Sequence, residues 1–234
     1  QNETDFWVVS RLENSNEFHS YLLTDLGINL TPVVSNIGSS YFSSLGYLKS
    51  SHDGARLAGA SVYGGNDGVD LFDFNNSTGL LSNHMHFSNA PTPYGIEFSL
   101  DSDILYVAQV DNGSQVAQYN LLAGSQSLIE ASMTIISSGI SAPFPGGAIQ
   151  MGPDGKIYRA VFSQNYLDVI NDPGVLGLAC NYSSNAISLQ SGISRLGLPT
   201  FFSSIFNSLP AGCDSVATAI IDIKNSSSTY TQVA

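Results

Sequence analysis

Two imidazoles stand two residues apart in His84-Met85-His86, on one side of any strand that carries them, a spacing compatible with a metal ion. No third ligand accompanies them in the adjacent sequence, so a solvated strand face is the preferred reading. Carboxylates recur at Asp53-Gly54, Asp101-Ser102-Asp103 and Asp154-Gly155. Calcium needs about six to eight oxygen ligands, which these short steps do not supply, so they read as turns. Asn66-Asp67-Gly68-Val69-Asp70 is richer, with two carboxylates and an amide oxygen in one short stretch. Asp67 and Asp70 are therefore the calcium candidates, beside the plainer reading of an Asp-Gly turn. Four histidines and 36 serines allow many pairings, but no Gly-x-Ser-x-Gly elbow aims a nucleophile and no P-loop cradles phosphate. Glu97 is a lone carboxylate on an expected inner strand, which is not a mechanism. No catalytic residue is assigned, and no cofactor is called for. Cys180 and Cys213 are the only two cysteines, too few for a cysteine-rich zinc site. A disulfide between them and a pair of unpaired thiols are both open readings; pairing would contribute about 3 kcal/mol.

These groups sit in an unusual solvent face. Charged residues make up 11% of the 234 residues, against about 25% in ordinary domains. Polarity is carried instead by the 36 serines and 18 asparagines. Seven Lys and Arg against 19 Asp and Glu give a net charge of −12, which excludes nucleic acid and anionic membranes as partners, since both need clustered cations. The hydrophobic share of 43% is enough for a core, and no apolar run approaches the roughly 18 residues of a membrane span. A low-lysine surface rich in hydroxyls and amides fits an exported protein. The chain opens Gln1-Asn2-Glu3-Thr4 with no signal peptide, which points to a removed leader or a piece of something longer.

An internal repeat must position the chemistry. Gly46-Tyr47-Leu48-Lys49-Ser50-Ser51-His52-Asp53, Tyr94-Gly95-Ile96-Glu97-Phe98-Ser99-Leu100-Asp101 and Gly147-Ala148-Ile149-Gln150-Met151-Gly152-Pro153-Asp154 align, each followed by a second apolar run. The aspartates are 48 and 53 residues apart. Asp-Gly between alternating runs is a hairpin signal because the turn needs positive φ. Gly27, Gly79, Gly124 and Gly174 recur 52, 45 and 50 residues apart in the second half of the unit. No long 3.6-residue periodicity supplies helices, so the class is all-β. A unit of about 49 residues with four strands is the period of a β-propeller blade, whose faces are buried only against neighbouring blades. Four to five blades are visible, possible parts of a larger ring. The first begins at its second strand, Phe6-Trp7-Val8-Val9-Ser10, and Leu196 to Phe202 reads as a lone first strand, an offset that ring closure would use. Residues 1–208 are the blades; 209–234 read as a strand and a linker toward a further module.

In a propeller, the loops joining second to third strands share one face with those joining blade to blade, and ligand sites gather there. The first set is Leu12–Asn16, Tyr63–Gly68, Asp111–Gln115 and Ser163–Asn165; the second is Ser39–Gly46, Ser88–Gly95, Ser137–Gly147 and Ser188–Arg195. They offer Tyr41, Phe42, Asn66, Tyr94, Asn112, Phe144, Asn165 and Arg195 as candidate binding residues. Aromatic faces with amides suit sugars or peptide segments. The competing reading is ordinary loop chemistry.

Phe6-Trp7-Val8-Val9, Ser20-Tyr21-Leu22-Leu23-Thr24, Thr31-Pro32-Val33-Val34-Ser35, Gly152-Pro153-Asp154-Gly155-Lys156-Ile157-Tyr158, Leu178-Ala179-Cys180-Asn181-Tyr182 and Arg195-Leu196-Gly197-Leu198-Pro199 together resemble the WD40-like propeller region of Bacteroidetes surface proteins exported by the type IX (gliding-motility-type) system. The resemblance spans about residues 5–206. It implies a secreted or cell-surface location, further modules in the same polypeptide, and no shared catalytic residues. Asp214-Ser215-Val216 resembles the O-glycosylation pattern of such proteins, with Ser215 as acceptor. The expectation is a noncatalytic module for adhesion, assembly or binding of a surface polysaccharide or protein. A propeller-type lactonase or lyase and a structural subunit of an extracellular assembly are the alternatives.

Overall fold

The computed structural model describes residues 5–40, 45–110, 114–137 and 146–199. Strands β1 (Phe6–Arg11), β2 (Glu17–Thr24), β3 (Gly27–Ile28) and β4 (Val33–Asn36) form the first sheet. The second holds β5 (Leu48–Ser50), β6 (Arg56–Ser61), β7 (Gly68–Phe74) and β8 (Leu81–Phe87). The third holds β9 (Pro93–Phe98), β10 (Ile104–Gln109), β11 (Val116–Asn120) and β12 (Thr134–Ser137). The fourth holds β13 (Gly146–Met151), β14 (Ile157–Val161), β15 (Tyr166–Ile170) and β16 (Tyr182–Ser188). Sheets two to four are antiparallel meanders in sequence order, the architecture of propeller blades. In the first sheet β3 and β4 both pair with β2, as two pieces of one outer strand. Its meander starts at β1, in the second-strand position the sequence indicates.

The aspartate turns repeat in detail. Ser51, Ser99 and Gly152 accept from Gly54 N, Ser102 N and Gly155 N at 3.0, 2.8 and 3.1 Å. Asp53, Asp101 and Asp154 each turn Oδ1 onto the amide two residues on, at 3.0, 3.3 and 3.3 Å. Gly54, Ser102 and Gly155 all take left-handed φ, at 67°, 64° and 77°. The carboxylates thus hold turns, as Asx side chains do. Glycine's other role is close approach. A Cβ on Gly95 would lie 2.6 Å from Gly147 O, and one on Gly147 would lie 2.9 Å from Leu196 O, so the inner strands converge only because these positions lack side chains.

The core lies in the seams between blades. Phe18 of blade one packs edge-on to Phe72 of blade two, ring centroids 5.1 Å apart, with Leu57 and Leu81. Ala58, Val69, Leu71 and Phe87 of blade two meet Ile96, Phe98, Val107 and Tyr119 of blade three. Tyr106, Val116 and Ile136 meet Ile149, Met151, Ile157 and Ile170. The inner and middle strands β6, β7, β10 and β13 are buried along almost their whole length because a neighbouring blade covers each face, whereas β1 of blade one alternates between more and less exposed residues. A six-residue helix α1 (Gln126–Ala131) interrupts the path from β11 to β12, burying Ile129 under the second seam.

Candidate functional site

The innermost strands set the centre of the site. Counted from each turn aspartate, Lys49, Glu97 and Gln150 occupy the same place, four residues earlier. The fold brings all three together. Lys49 Nζ donates to Glu97 Oε2 at 2.7 Å, to Gln150 Oε1 at 2.6 Å and to Ile149 O at 3.2 Å. Glu97 Oε2 also accepts from Met151 N at 2.9 Å, and Oε1 from Phe98 N at 3.1 Å. The carboxylate is 4% exposed and the ammonium 11%, so neither reaches bulk water freely. One cation thereby ties the inner strands of three blades, and Glu97, the sole carboxylate there among the described residues, is occupied as an acceptor.

Hydrogen bonds put the two loop sets on one face. Ile37 N donates to Asn16 O at 2.9 Å, Val110 N to Thr92 O at 3.0 Å, and Leu189 N to Asn165 O at 2.7 Å. Ser194 N donates to Gln164 O at 2.7 Å. The 2–3 loop of each of these blades is thus stitched to a blade-to-blade loop. Tyr47 N donates to Tyr94 O at 3.0 Å, and Ala148 N to Leu196 O at 2.7 Å, so Leu196 stands to blade four as Tyr94 stands to blade two. The chain leaving blade four enters the place of a further inner strand.

On this face Tyr94 is half-buried, edge-on to Tyr47 with ring centroids 5.5 Å apart. Burial, then the neighbouring Tyr94, push the Tyr47 phenol up, against a hydrogen bond with the Leu198 backbone. Arg195 is exposed, its guanidinium 5.7 Å from the Phe162 ring centroid, a cation–π contact. Asn66 and Asn165 are exposed. Tyr47 and Phe162 belong with the sequence candidates, and their signal was position in the repeat rather than residue type. Tyr41, Phe42, Asn112, Phe144, Cys213 and Ser215 lie outside the described residues, as does 209–234. Cys180 is buried, and burial raises its thiol pKa.

Asp67 and Asp70 face different partners. Asp67 Oδ1 accepts from Gly64 N at 2.9 Å and closes its own loop. Asp70 is buried and its Oδ1 lies 2.8 Å from His84 Nε2 and 2.9 Å from His86 Nδ1. The reading of His84 and His86 as a solvated strand face is corrected here: the third group comes from β7, directly across the ladder from β8, where Asp70 pairs with His86. The hydrogen bond to Asp70 raises the His86 imidazole above its ordinary pKa against the pull of burial, with the charges of Asp70 and Glu130 adding to the rise.

The fold is similar to that of TolB from Acinetobacter baumannii, with TM-score 0.50 and 14% identity, over 82% of this chain and 42% of that one. It is likewise similar to hydrazine synthase of Kuenenia stuttgartiensis, with TM-score 0.50 and 11% identity, over 79% and 59%. A periplasmic gluconolactonase of Pseudomonas aeruginosa, PpgL, aligns at TM-score 0.45 and 15% identity, over 71% and 49%. The chain therefore spans less than two thirds of each of these proteins. They are propeller-like, and at these identities the likeness concerns the fold alone. No protein-family model matches the sequence, and no curated protein matches it.

Proposed function

We propose that the chain is a noncatalytic β-propeller module of a secreted or surface-exposed bacterial protein, whose loop face binds a surface polysaccharide or protein for adhesion or assembly. The observation that carries the reading is the division of labour at the ring. The axial carboxylate Glu97 is held by Lys49 and two backbone amides, while Tyr94 and Arg195 are presented on the face where the loops meet. An aromatic ring and a guanidinium beside amides make a surface that grips polar polymers with little net charge. The low-lysine, hydroxyl-rich composition and the resemblance to type IX-exported surface proteins support the setting.

The test is a polysaccharide and peptide array probed with the chain, its Tyr94→Ala and Arg195→Ala variants, and circular dichroism as the folding control. Each variant should lose roughly tenfold or more in affinity for the best-bound polymer, as central aromatic and arginine anchors do. Retained binding in both variants would overturn the assignment of the face. Turnover of a lactone or uronide by the unaltered chain would overturn the noncatalytic reading.

A further inference from the structure

The seam between blades one and two holds a cluster that the loop face does not use. β8 alternates: Met85 turns toward the apolar seam with blade three, while His84 and His86 project on the opposite side. The ladder between β7 and β8 shifts register between Leu71 and Asp73, and Asn83 takes φ 50°, a bulge next to His84. Bulges of this kind re-aim a neighbouring side chain. His84 then stacks on Phe72, ring centroids 5.0 Å apart, and turns Nε2 onto Asp70. His86 packs over Gly68, where a Cβ would come within 2.6 Å of the ring, and turns Nδ1 onto the same oxygen. Arg11 of β1 acts on Asp70 from blade one, and Glu130 of α1 acts on His86 from the far side.

We propose that Asp70, His84 Nε2 and His86 Nδ1 form a binding site for a divalent transition-metal ion, with Zn²⁺ the best match. Three observations support it. One ligand atom from each residue lies within 4.8 Å of the others. Zinc with bonds of about 2.0–2.2 Å holds tetrahedral donors about 3.3 Å apart, so the present 2.8 and 2.9 Å separations need to open by only a few tenths of an ångström. The side chains of His84 and His86 are 23% and 21% exposed, which leaves them room to do so and leaves an entry path. Asp70, in contrast, is 1% exposed, and its Oδ2 has no hydrogen-bond partner. An unsatisfied buried carboxylate oxygen is costly, and a cation beside it removes that cost.

Two imidazoles and one carboxylate make a borderline donor set that suits zinc or its first-row neighbours and not calcium or magnesium, which take oxygen. Three protein ligands leave a fourth position for water or a ligand. Because β7 and β8 are the outer strands of blade two, a bound ion clasps that outer hairpin.

Tag-free protein stripped with a chelator and dialysed should bind about one equivalent of Zn²⁺ in titration calorimetry, with little heat from Ca²⁺ or Mg²⁺. Its melting temperature should rise with zinc. Co²⁺ in place of zinc should give the visible bands of a tetrahedral nitrogen–oxygen site. Asp70→Asn, His84→Ala and His86→Ala should each weaken zinc binding by roughly tenfold or more, while His19→Ala should not. Should a variant fail to fold, the unaltered protein decides: zinc must protect His84 and His86, and not His19 or His52, from acylation by diethyl pyrocarbonate. Substoichiometric zinc, equal protection of all four histidines, or full affinity in folded His84→Ala and His86→Ala overturns the site.

Discussion

Blades two and four bury an aspartate at matching places and treat it differently. Asp70 lies in β7 and Asp168 in β15, each the third strand of its meander, and each takes partners from the fourth strand. In blade four the second strand places Arg159 opposite Asp168, whereas in blade two the same place, opposite Asp70, is Gly59. Arg159 and Asp168 are both fully buried, 3.4 Å apart, with Tyr182 Oη between them at 2.8 and 2.5 Å. Arg159 also donates to Ser114 O at 2.9 Å and to the Ser114 hydroxyl, crossing the seam to blade three. Burial, moderated by Arg159, pushes the Tyr182 phenol up to about 12. A guanidinium has donors only and keeps its proton, so Asp168 is a closed structural tie. Imidazole nitrogens can donate or coordinate, so Asp70 keeps the capacity to bind. One residue in the second strand separates a tie from a candidate site.

Arg159→Met is expected to have the largest effect. It strands a buried carboxylate that retains only hydroxyl and amide donors, and breaking a buried pair in this way costs roughly 3–5 kcal/mol. Asp70→Asn in metal-free protein should cost roughly 1–2 kcal/mol, because the amide oxygen can still accept from the imidazoles and the Arg11 guanidinium, which loses the charge of Asp70, is only half-buried. Urea denaturation of both variants measures the contrast. Equal losses would erase the distinction between the two blades.

Lys49→Met sits between those extremes. Glu97 would keep the Met151 and Phe98 amides and lose its cation, and with Lys49 partly open to water the loss should be roughly 2–3 kcal/mol, near the lower end for a buried pair. The accompanying Lys49→Met/Glu97→Met double variant should recover part of it, since an apolar pair leaves no buried charge unpartnered. A double variant worse than the single one would mean that the inner strands depend on the ion pair itself.

Much of the fold was legible because its signals are local. The aspartate turns, the period of about 49 residues and the entry into blade one at Phe6-Trp7-Val8-Val9-Ser10 can all be read along the chain. At the turns even the departure is instructive: Ser102 takes the same left-handed φ as Gly54 and Gly155, so the position, not the glycine, defines the turn. The glycines of the second half hold less strictly. Gly27, Gly79 and Gly124 are left-handed, but in blade four that role falls to Gly177 rather than Gly174. The tie of Lys49, Glu97 and Gln150 was written in the sequence as one repeat position, yet its partners meet only across blades. Nothing in the short strand that carries Arg159 shows that Ser114 of blade three covers it. The Asp70 cluster depends on a ladder register and a bulge at Asn83, neither of which residue spacing reveals.

The smallest expected effect tests exposure as the reason the buried aspartates matter more. Asp53 is instead a surface carboxylate, in the turn between β5 and β6. Burial pulls its pKa up, but hydrogen bonds with Ser51, the Ala55 amide and Ser102, and the charge of Arg56, outweigh that and hold it below the ordinary value. A depressed folded-state value means that Asp53 adds stability above the unfolded-state pKa of about 3.9, and that this increment disappears as pH falls through the lower folded value. Urea midpoints of the unaltered chain and of Asp53→Asn should therefore differ by a small constant between pH 5 and pH 8, in favour of aspartate, and converge below about pH 4. Solvent screening at this open turn keeps the difference well under that expected for Arg159→Met. Curves that stay parallel down to pH 3 would assign the turn's stability to its backbone bonds alone, and a difference as large as the buried pair's would detach the effect from burial.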